Sequence, residues 1–120
     1  MDFGLSQRAH DGYIVIELRG ELDVVTVPAL KTRLHSLLDG SVPRLILDLS
    51  GLTFIDSAAL NALVIADRRA RQLGVVLALA GPQRIVARVL SLTALDRHFP
   101  VYPTVADAAA GTQFAGQAGD

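Results

Sequence analysis

The chain has 120 residues, a length typical of one domain with a single hydrophobic core. Hydrophobic residues make up 51% of it and charged residues 19%, a composition that excludes an intrinsically disordered protein. The formal net charge of -1 provides no general attraction to nucleic acid or to an anionic membrane, so we expect neither as a direct partner. Cysteine is absent, which excludes disulfide bonds, thiolate catalysis and cysteine-ligated zinc.

The amino-terminal part of the chain predicts a β-hairpin followed by a helix. Asp11-Gly12 stands between two apolar-rich segments, residues 5–10 and 13–19, and Asp-Gly in that position is a strong hairpin signal. Gly20-Glu21-Leu22-Asp23 then interrupts the second strand and is predicted to form a connecting loop. A helix is predicted over residues 26–39, because Thr and Pro stand at its start and Asp-Gly follows its apolar stripe.

The centre of the chain predicts a buried strand that leads into a second helix. Residues 45–49 form a nearly unbroken apolar run, which is typical of a central strand covered on both faces. Residues 50–53 read Ser-Gly-Leu-Thr and are predicted to form a loop. The apolar period then changes to 3.6, which predicts a helix over residues 58–73. We expect this helix to pack on the strand through three apolar residues: Leu60, Leu63 and Val64.

The rest of the chain continues the alternation of strands and helices. The pattern predicts a strand over residues 75–80, a helix over 83–92, a connection over 93–99, an edge strand over 101–102 and a short helix over 105–110. The strand over residues 75–80 is expected to be buried and adjacent to the strand over residues 45–49. Four residues of the first of these helices are expected to face inward: Ile85, Val86, Val89 and Leu90. Residues 1–110 are predicted to form the domain and residues 111–120 a flexible carboxyl-terminal tail. The order ββαβαβα predicts an α/β fold, a small mixed sheet with helices packed on it.

Enzyme and targeting signatures are weak. Neither the glycine-rich dinucleotide fingerprint nor a complete P-loop occurs, and Ser57 lacks the flanking glycines of a nucleophile elbow. His10, His35 and His98 are dispersed and show no metal-ligand spacing. We therefore predict a non-enzymatic protein with no cofactor and no metal. The start of the chain lacks the features of a secretory signal and no apolar run approaches a membrane span, so we predict a cytoplasmic protein without membrane insertion.

The candidate site lies where the central strand leads into the second helix. Asp56 and Ser57 stand at the predicted helix start, and short side chains with oxygen atoms are common helix caps there. Either residue could therefore have only a capping role. Glu21 and Asp23 belong to another connection; Asp23 either bonds the backbone of its own turn or contributes with Asp56 to an acidic contact patch. The basic run Arg68-Arg69-Ala70-Arg71 is interpreted as the solvated end of a helix.

Three stretches occur together in an order and spacing that resemble a known family. Gly20-Glu21-Leu22-Asp23 follows the second predicted strand, Phe54-Ile55-Asp56-Ser57 follows the central strand, and Ser91-Leu92-Thr93-Ala94-Leu95 precedes Phe99 through Tyr102. With these motifs the chain resembles the STAS-domain family, in particular the bacterial anti-sigma factor antagonists. The likeness extends from Met1 to about Ala110. It implies the STAS fold, a small mixed β-sheet with helices packed on it.

The resemblance implies a phosphorylation switch at Ser57. In the family, the serine that follows this aspartate is phosphorylated by a partner that is both a serine kinase and an anti-sigma factor. The unphosphorylated antagonist binds that partner and frees a sigma factor, and a serine phosphatase restores the unphosphorylated form. The implied partner-binding residues surround the phosphorylation site: Glu21, Asp23, Asp56, Ser57, Ala58 and Asn61.

The sequence departs from the family pattern directly after Ser57. Ala58-Ala59-Leu60-Asn61 stands where a Ser or Thr, then Gly, then Leu-Gly is usual. Alanine in place of glycine stiffens the helix start and fills space beside the hydroxyl group. The alternative is therefore a STAS adaptor that is not phosphorylated and serves as a subunit of a stress-sensing or lipid-transport complex. A small α/β enzyme is the third possibility.

Overall fold

The computed structural model describes residues 3–10 and 12–118, with side chains through Gly111. Five strands and five helices follow one another in this part of the chain. The elements are β1 (Gly4–His10), β2 (Tyr13–Leu22), α1 (Val27–Leu37), β3 (Arg44–Ile55), α2 (Ser57–Gln72), β4 (Val76–Ala80), α3 (Arg84–Leu92), α4 (Leu95–His98), β5 (Val101–Tyr102) and α5 (Val105–Ala118). Asp11 of the predicted hairpin turn lies outside the described residues.

The strands form one mixed sheet in the order β1-β2-β3-β4-β5. β1 and β2 are antiparallel, as the hairpin prediction requires, whereas every later pair is parallel. Neighbouring strands are parallel because the helical connection after each strand returns the chain to the end of the sheet at which that strand began. The prediction of a mixed α/β sheet is confirmed, and so is the adjacency of the two buried central strands, in which Leu47 pairs with Leu79.

Both predicted loops beside the central strands are wrong, because the strands continue through them. β2 runs to Leu22 and β3 to Ile55, and they remain paired, Glu21 with Phe54. Two register shifts interrupt this pairing, between Glu17 and Arg19 and between Gly20 and Glu21. Such bulges break the two-residue alternation, so the sequence pattern resembles a loop. Gly51 fits this region because a Cβ there would lie 2.8 Å from Arg19 Cγ.

Helices cover both faces of the sheet. α1, α2 and α3 contribute to the larger core, in which Leu30, Leu63 and Val86 are fully buried. On the opposite face, Ala108 of α5 packs with a smaller cluster that includes Val15 and Ile46. Because β2, β3 and β4 supply residues to both cores, their side chains are apolar on both faces.

α2 packs on the sheet mainly through small residues. Its buried residues are Ala59, Ala62, Leu63, Ala66, Asp67 and Ala70. Of the three residues expected to pack inward, Leu63 is fully buried, Leu60 lies partly buried against the core, and Val64 is only partly buried. The alanines bring the helix backbone close to the strands, so the larger Leu60 and Val64 are displaced to the margin.

Two predictions for the third helix and the connection after it are wrong. Ile85 does not face inward but has an exposed fraction of 56%, because the buried stripe of α3 runs through Val86 and Leu90. The predicted connection contains the short helix α4, and Phe99, which follows it, is 2% exposed. The edge strand is confirmed as β5.

The last helix begins at Val105 as predicted but continues to Ala118. The Tyr102 hydroxyl donates a hydrogen bond of 2.8 Å to the carbonyl oxygen of buried Gly111, and a Cβ at Gly111 would lie 2.5 Å from the Tyr102 ring. Burial raises the pKa of Tyr102, so the phenol stays protonated and keeps its donor. Residues 111–118 of the predicted tail belong to helix α5, and residues 119–120 lie outside the described part. The domain boundary after residue 110 stays a prediction.

The buried contact between α2 and the sheet provides a first test. We expect Leu63→Ala to lower the free energy of unfolding by about 2–5 kcal/mol, because Leu63 is 0% exposed and its truncation leaves a cavity. Leu92→Ala is the matched control, since Leu92 is also helical but 73% exposed, and its effect should stay within about 0.5 kcal/mol. Equal effects of both changes in urea denaturation would contradict the described packing.

Candidate functional site

Asp56 fixes the start of α2 and attaches it to the loop that precedes α1. It occupies the N-cap, where its Oδ1 accepts a hydrogen bond of 2.9 Å from the backbone N–H of Ala59. Its Oδ2 accepts a second bond of 2.9 Å from the backbone N–H of Val24. The backbone N–H of Asp56 donates to the carbonyl of Leu22 at 3.1 Å. Through its carboxylate and its backbone N–H, Asp56 therefore joins the end of β2, the loop after it and the start of α2.

Ser57 is the first residue of α2 and its side chain is exposed. Because Asp56 is the cap, the Ser57 hydroxyl is not needed for that role, and it has no hydrogen-bond partner within the described chain. Asn61 is also exposed and lies four residues further along the helix, on the same side as Ser57. Ala58 is partly buried and Ala59 fully buried, so their methyl groups pack beneath the helix start. The structure thus separates the two roles that the sequence left open.

Asp23 organises the loop between β2 and α1. Its Oδ1 accepts hydrogen bonds from the backbone N–H groups of Val25 and Thr26, at 3.0 and 3.1 Å. The Thr26 hydroxyl accepts a bond from the backbone N–H of Asp23 and donates one to the carbonyl of Glu21. Thr26 holds the N-cap position, but its side chain makes no cap bond to the helix. Asp23 bonds its own turn, as one of the two interpretations of the sequence predicted.

The structure brings most of the predicted site residues to one edge of the sheet. Asp23 and Asp56 are linked through Val24, and Glu21 pairs with Phe54 near the ends of β2 and β3. These strand ends are the carboxyl ends, where ligands and partners commonly meet an α/β sheet. Ser57 and the exposed Asn61 extend the edge onto α2. Asp23 and Asp56 do not form a free acidic patch, because both carboxylates accept hydrogen bonds from backbone N–H groups.

Exposed apolar side chains flank this site, and the sequence analysis did not include them. Val24 is 67% exposed and Val25 76%, although they stand in a tightly bonded turn. On the other side, Phe54 is 45% and Ile85 56% exposed, and both line a shallow hollow of about 100 Å³. Two adjacent valines in a polar turn were the available signal. Exposed apolar side chains bordered by polar residues are a feature of protein-binding surfaces.

The histidines lie in other surroundings. His98 Nε2 is 2.9 Å from Oδ2 of buried Asp67, and the His10 ring stacks on Tyr13 with centroids 4.9 Å apart. His35 lines a groove between α1 and α2. Within residues 3–10 and 12–118, no histidine hydrogen-bonds Ser57 and no group of three potential metal ligands occurs. No helix in the same residues has the length and apolar character that a bilayer crossing needs.

The fold and the family comparison agree. The family described as STAS domain matches residues 5–108, which is most of the chain. The protein therefore belongs to the STAS domain family. The expected STAS fold is confirmed by similar solved structures as well as by the match itself.

Similar proteins include two from Mycobacterium tuberculosis. Anti-sigma-F factor antagonist RsfA is 31% identical over 106 residues, which cover 86% of this chain and 82% of RsfA. Anti-sigma-F factor antagonist RsfB is 27% identical over 104 residues, which cover 87% of this chain and 84% of RsfB. Among solved structures, an anti-sigma factor antagonist from Mycobacterium paratuberculosis has a TM-score of 0.79 and 33% identity, covering 93% of this chain and 95% of its own.

Removing the Asp56 carboxylate should destabilise the site. We expect Asp56→Ala to lower the free energy of unfolding by about 1–3 kcal/mol, because the helix cap and the bond to Val24 are both lost. Asp56→Asn should cost less, since one amide oxygen can still accept from a backbone N–H. Asp96→Ala, at an exposed aspartate in α4, is the control and should change stability by less than about 0.5 kcal/mol. A cost for Asp56→Ala no larger than the control's would contradict the capping geometry.

Proposed function

We propose that this protein is an anti-sigma factor antagonist, switched off by phosphorylation of Ser57. In its unphosphorylated form it binds an anti-sigma factor that is also a serine kinase, and a sigma factor is released. A serine phosphatase removes the phosphate and restores binding. The single observation that carries this proposal is that Ser57 is exposed, with no hydrogen-bond partner for its hydroxyl among the described residues, beside an aspartate that already caps the helix.

The helix start is suited to carry a phosphate. The Ala59 N–H is engaged by Asp56, and the Leu60 N–H bonds the Asp56 carbonyl at 3.0 Å. The N–H groups of Ser57 and Ala58 have no acceptor among the described residues and lie next to the hydroxyl group. Free N–H groups and the helix dipole both favour an anion at this position. Phosphorylation should therefore leave the domain folded.

The same phosphate would oppose partner binding. It adds about −1.5 to −2 charge at pH 7 within a surface that includes the Asp56 carboxylate and the exposed side chains of Val24 and Val25. A partner that covers these valines must desolvate the phosphate as well, which is costly unless it supplies cations. The switch therefore acts on the interface. The partner surface in this proposal comprises Glu21, Asp23, Asp56, Ser57, Ala58 and Asn61, extended by Val24 and Val25.

One observation favours a second candidate, a STAS adaptor that is never phosphorylated. Ala58 stands where Ser or Thr is usual in the family, and Ala59, which is fully buried, stands where Gly is usual. Alanine in place of glycine stiffens the helix start that a kinase active site would have to accommodate. Both candidates bind a partner through the same surface, but only the first accepts a phosphate. We place either protein in the cytoplasm, where sigma factors and ATP are found.

The test is a titration against the anti-sigma factors encoded in the same genome. Each is purified and titrated by calorimetry with the wild-type protein, and each mixture is then incubated with ATP and analysed by intact mass. The first candidate predicts one saturating partner and a mass increase of one phosphate. Binding without phosphate transfer favours the adaptor. No binding to any anti-sigma factor rejects the proposed function.

A further inference from the structure

A groove separates α1 from α2 on the side of the sheet that these helices cover. Its volume is about 580 Å³, which lies within the range of about 300–1,000 Å³ typical of small-molecule sites. Leu34 of α1 and Leu38 at its C-cap line the groove and are 3% and 6% exposed, and Ala62 and Ala66 line it from α2. The space exists because alanines stand on α2 where larger side chains would have closed the gap between the helices.

The polar side chains of the groove are cationic or neutral. Lys31 and Arg69 contribute to its lining from opposite helices, together with Thr32 and His35. No carboxylate is present among the described residues of the lining. The long apolar stems of lysine and arginine can lie on the groove while their charged groups reach its opening. An apolar interior with cations and no anion is electrostatically complementary to a negatively charged ligand.

Ile65 marks the same groove from its outer side. It is 50% exposed on α2, in line with Ala62, Ala66 and Arg69 along the helix. A large aliphatic side chain exposed next to an apolar groove extends the surface that an apolar ligand could cover. Ser57 and Asp56 are not part of this lining, so the groove is distinct from the site at the helix start.

We propose that this groove binds a small amphipathic anion, specifically a fatty carboxylate. The alkyl chain packs against Leu34, Leu38 and the two alanines, and the carboxylate lies toward Lys31 and Arg69. α1 and α2 contact each other, so both helices bound the groove, and its volume of about 580 Å³ is of the size that a small ligand fills. This inference does not depend on the proposed function, because it concerns other residues and another kind of ligand.

The test uses decanoate below its micelle concentration, titrated into the full-length protein and followed by amide NMR shifts. Saturable shifts should concentrate in residues 31–38 and 62–69. Decanol, which has the same chain without the charge, and acetate, which has the charge without the chain, should each bind at least about tenfold more weakly. Equal affinity for decanol, equal affinity for acetate, or shifts that do not saturate would each overturn the proposal.

Two pairs of variants locate the ligand. Arg69→Gln should weaken decanoate binding by about tenfold, whereas Arg68→Gln, at an exposed arginine that is not part of the lining, should have little effect. Ile65→Glu should abolish measurable binding by placing a carboxylate at the groove, and Leu92→Glu, at a similarly exposed apolar residue of α3, should not. Arg69 and Ile65 are both exposed, so Arg69→Gln and Ile65→Glu are expected to fold. Thermal unfolding of the two variants checks this. Decanoate binding that survives both Arg69→Gln and Ile65→Glu would overturn the assignment.

Discussion

Ser57→Asp is expected to weaken binding of the anti-sigma factor by about 30-fold to several thousandfold. The range corresponds to about 2–5 kcal/mol, the usual effect of an unpaired charge within an interface. The reason is local: the new carboxylate stands beside Asp56 and next to the exposed valines of the loop that Asp56 bonds. Calorimetric titration of purified anti-sigma factor with wild-type and mutant protein measures this change.

Stability should hardly change in the same variant. A carboxylate at the first residue of α2 interacts favourably with the helix dipole by about 0.3–1 kcal/mol, so the melting temperature should stay within about 4 °C of the wild-type value. Ser57→Ala should bind as the wild type does and accept no phosphate. Ser36→Asp is the matched control, because Ser36 is also an exposed helical serine but lies near the end of α1. Loss of binding in this control as well would show that the effect is not specific to Ser57.

Val25→Asp should also cause a large loss of binding, of at least about tenfold. Val25 is 76% exposed, and its burial by a partner would contribute about 1.5–3 kcal/mol to the binding free energy. Aspartate loses this contribution and adds the cost of desolvating a carboxylate. Its backbone N–H can still donate to Asp23 Oδ1, so the turn should persist and stability should change by less than about 0.5 kcal/mol. Calorimetry and urea denaturation measure the two quantities.

Leu92→Asp controls for the effect of placing a charge on any exposed apolar residue. Leu92 is 73% exposed and ends α3, which begins near the carboxyl end of β4 and carries the chain away from that edge over nine residues. The Leu92→Asp variant should bind the anti-sigma factor with the affinity of the wild-type protein. If Val25→Asp and Leu92→Asp both leave the affinity unchanged, the valines are not part of the interface.

The sheet was predictable from the sequence where its strands are regular. The apolar runs of β3 and β4 and the turn residues between elements were sufficient for the hairpin, the adjacency of the two central strands and the edge strand. The extensions of β2 and β3 were not predicted, since bulges around Gly20 remove the alternation on which a strand prediction depends. Buried Asp67 was missed as well: its pair with Arg71 is local to α2, but its contact with His98 requires α4 to lie against α2.

The candidate site was predictable in position but not in detail. Apolar periodicity placed Asp56 and Ser57 at a helix start, yet two adjacent capping residues compete equally in a sequence. The bond from the Ala59 N–H identifies Asp56 as the cap, and the second bond to that carboxylate, from Val24, joins residues far apart in the chain. The bond from Val24 holds the loop in a conformation that exposes Val24 and Val25, and two adjacent valines in a polar turn were the local signal of that exposure.

The most direct test of the account is the chemical state of Ser57 after incubation with the anti-sigma factor that the protein binds. The protein is mixed with that partner and ATP, and the products are digested and sequenced by tandem mass spectrometry. We expect one phosphate, on Ser57, and loss of the complex in proportion to its appearance. A phosphate on any other residue, or a complex that persists with Ser57 fully phosphorylated, would contradict it.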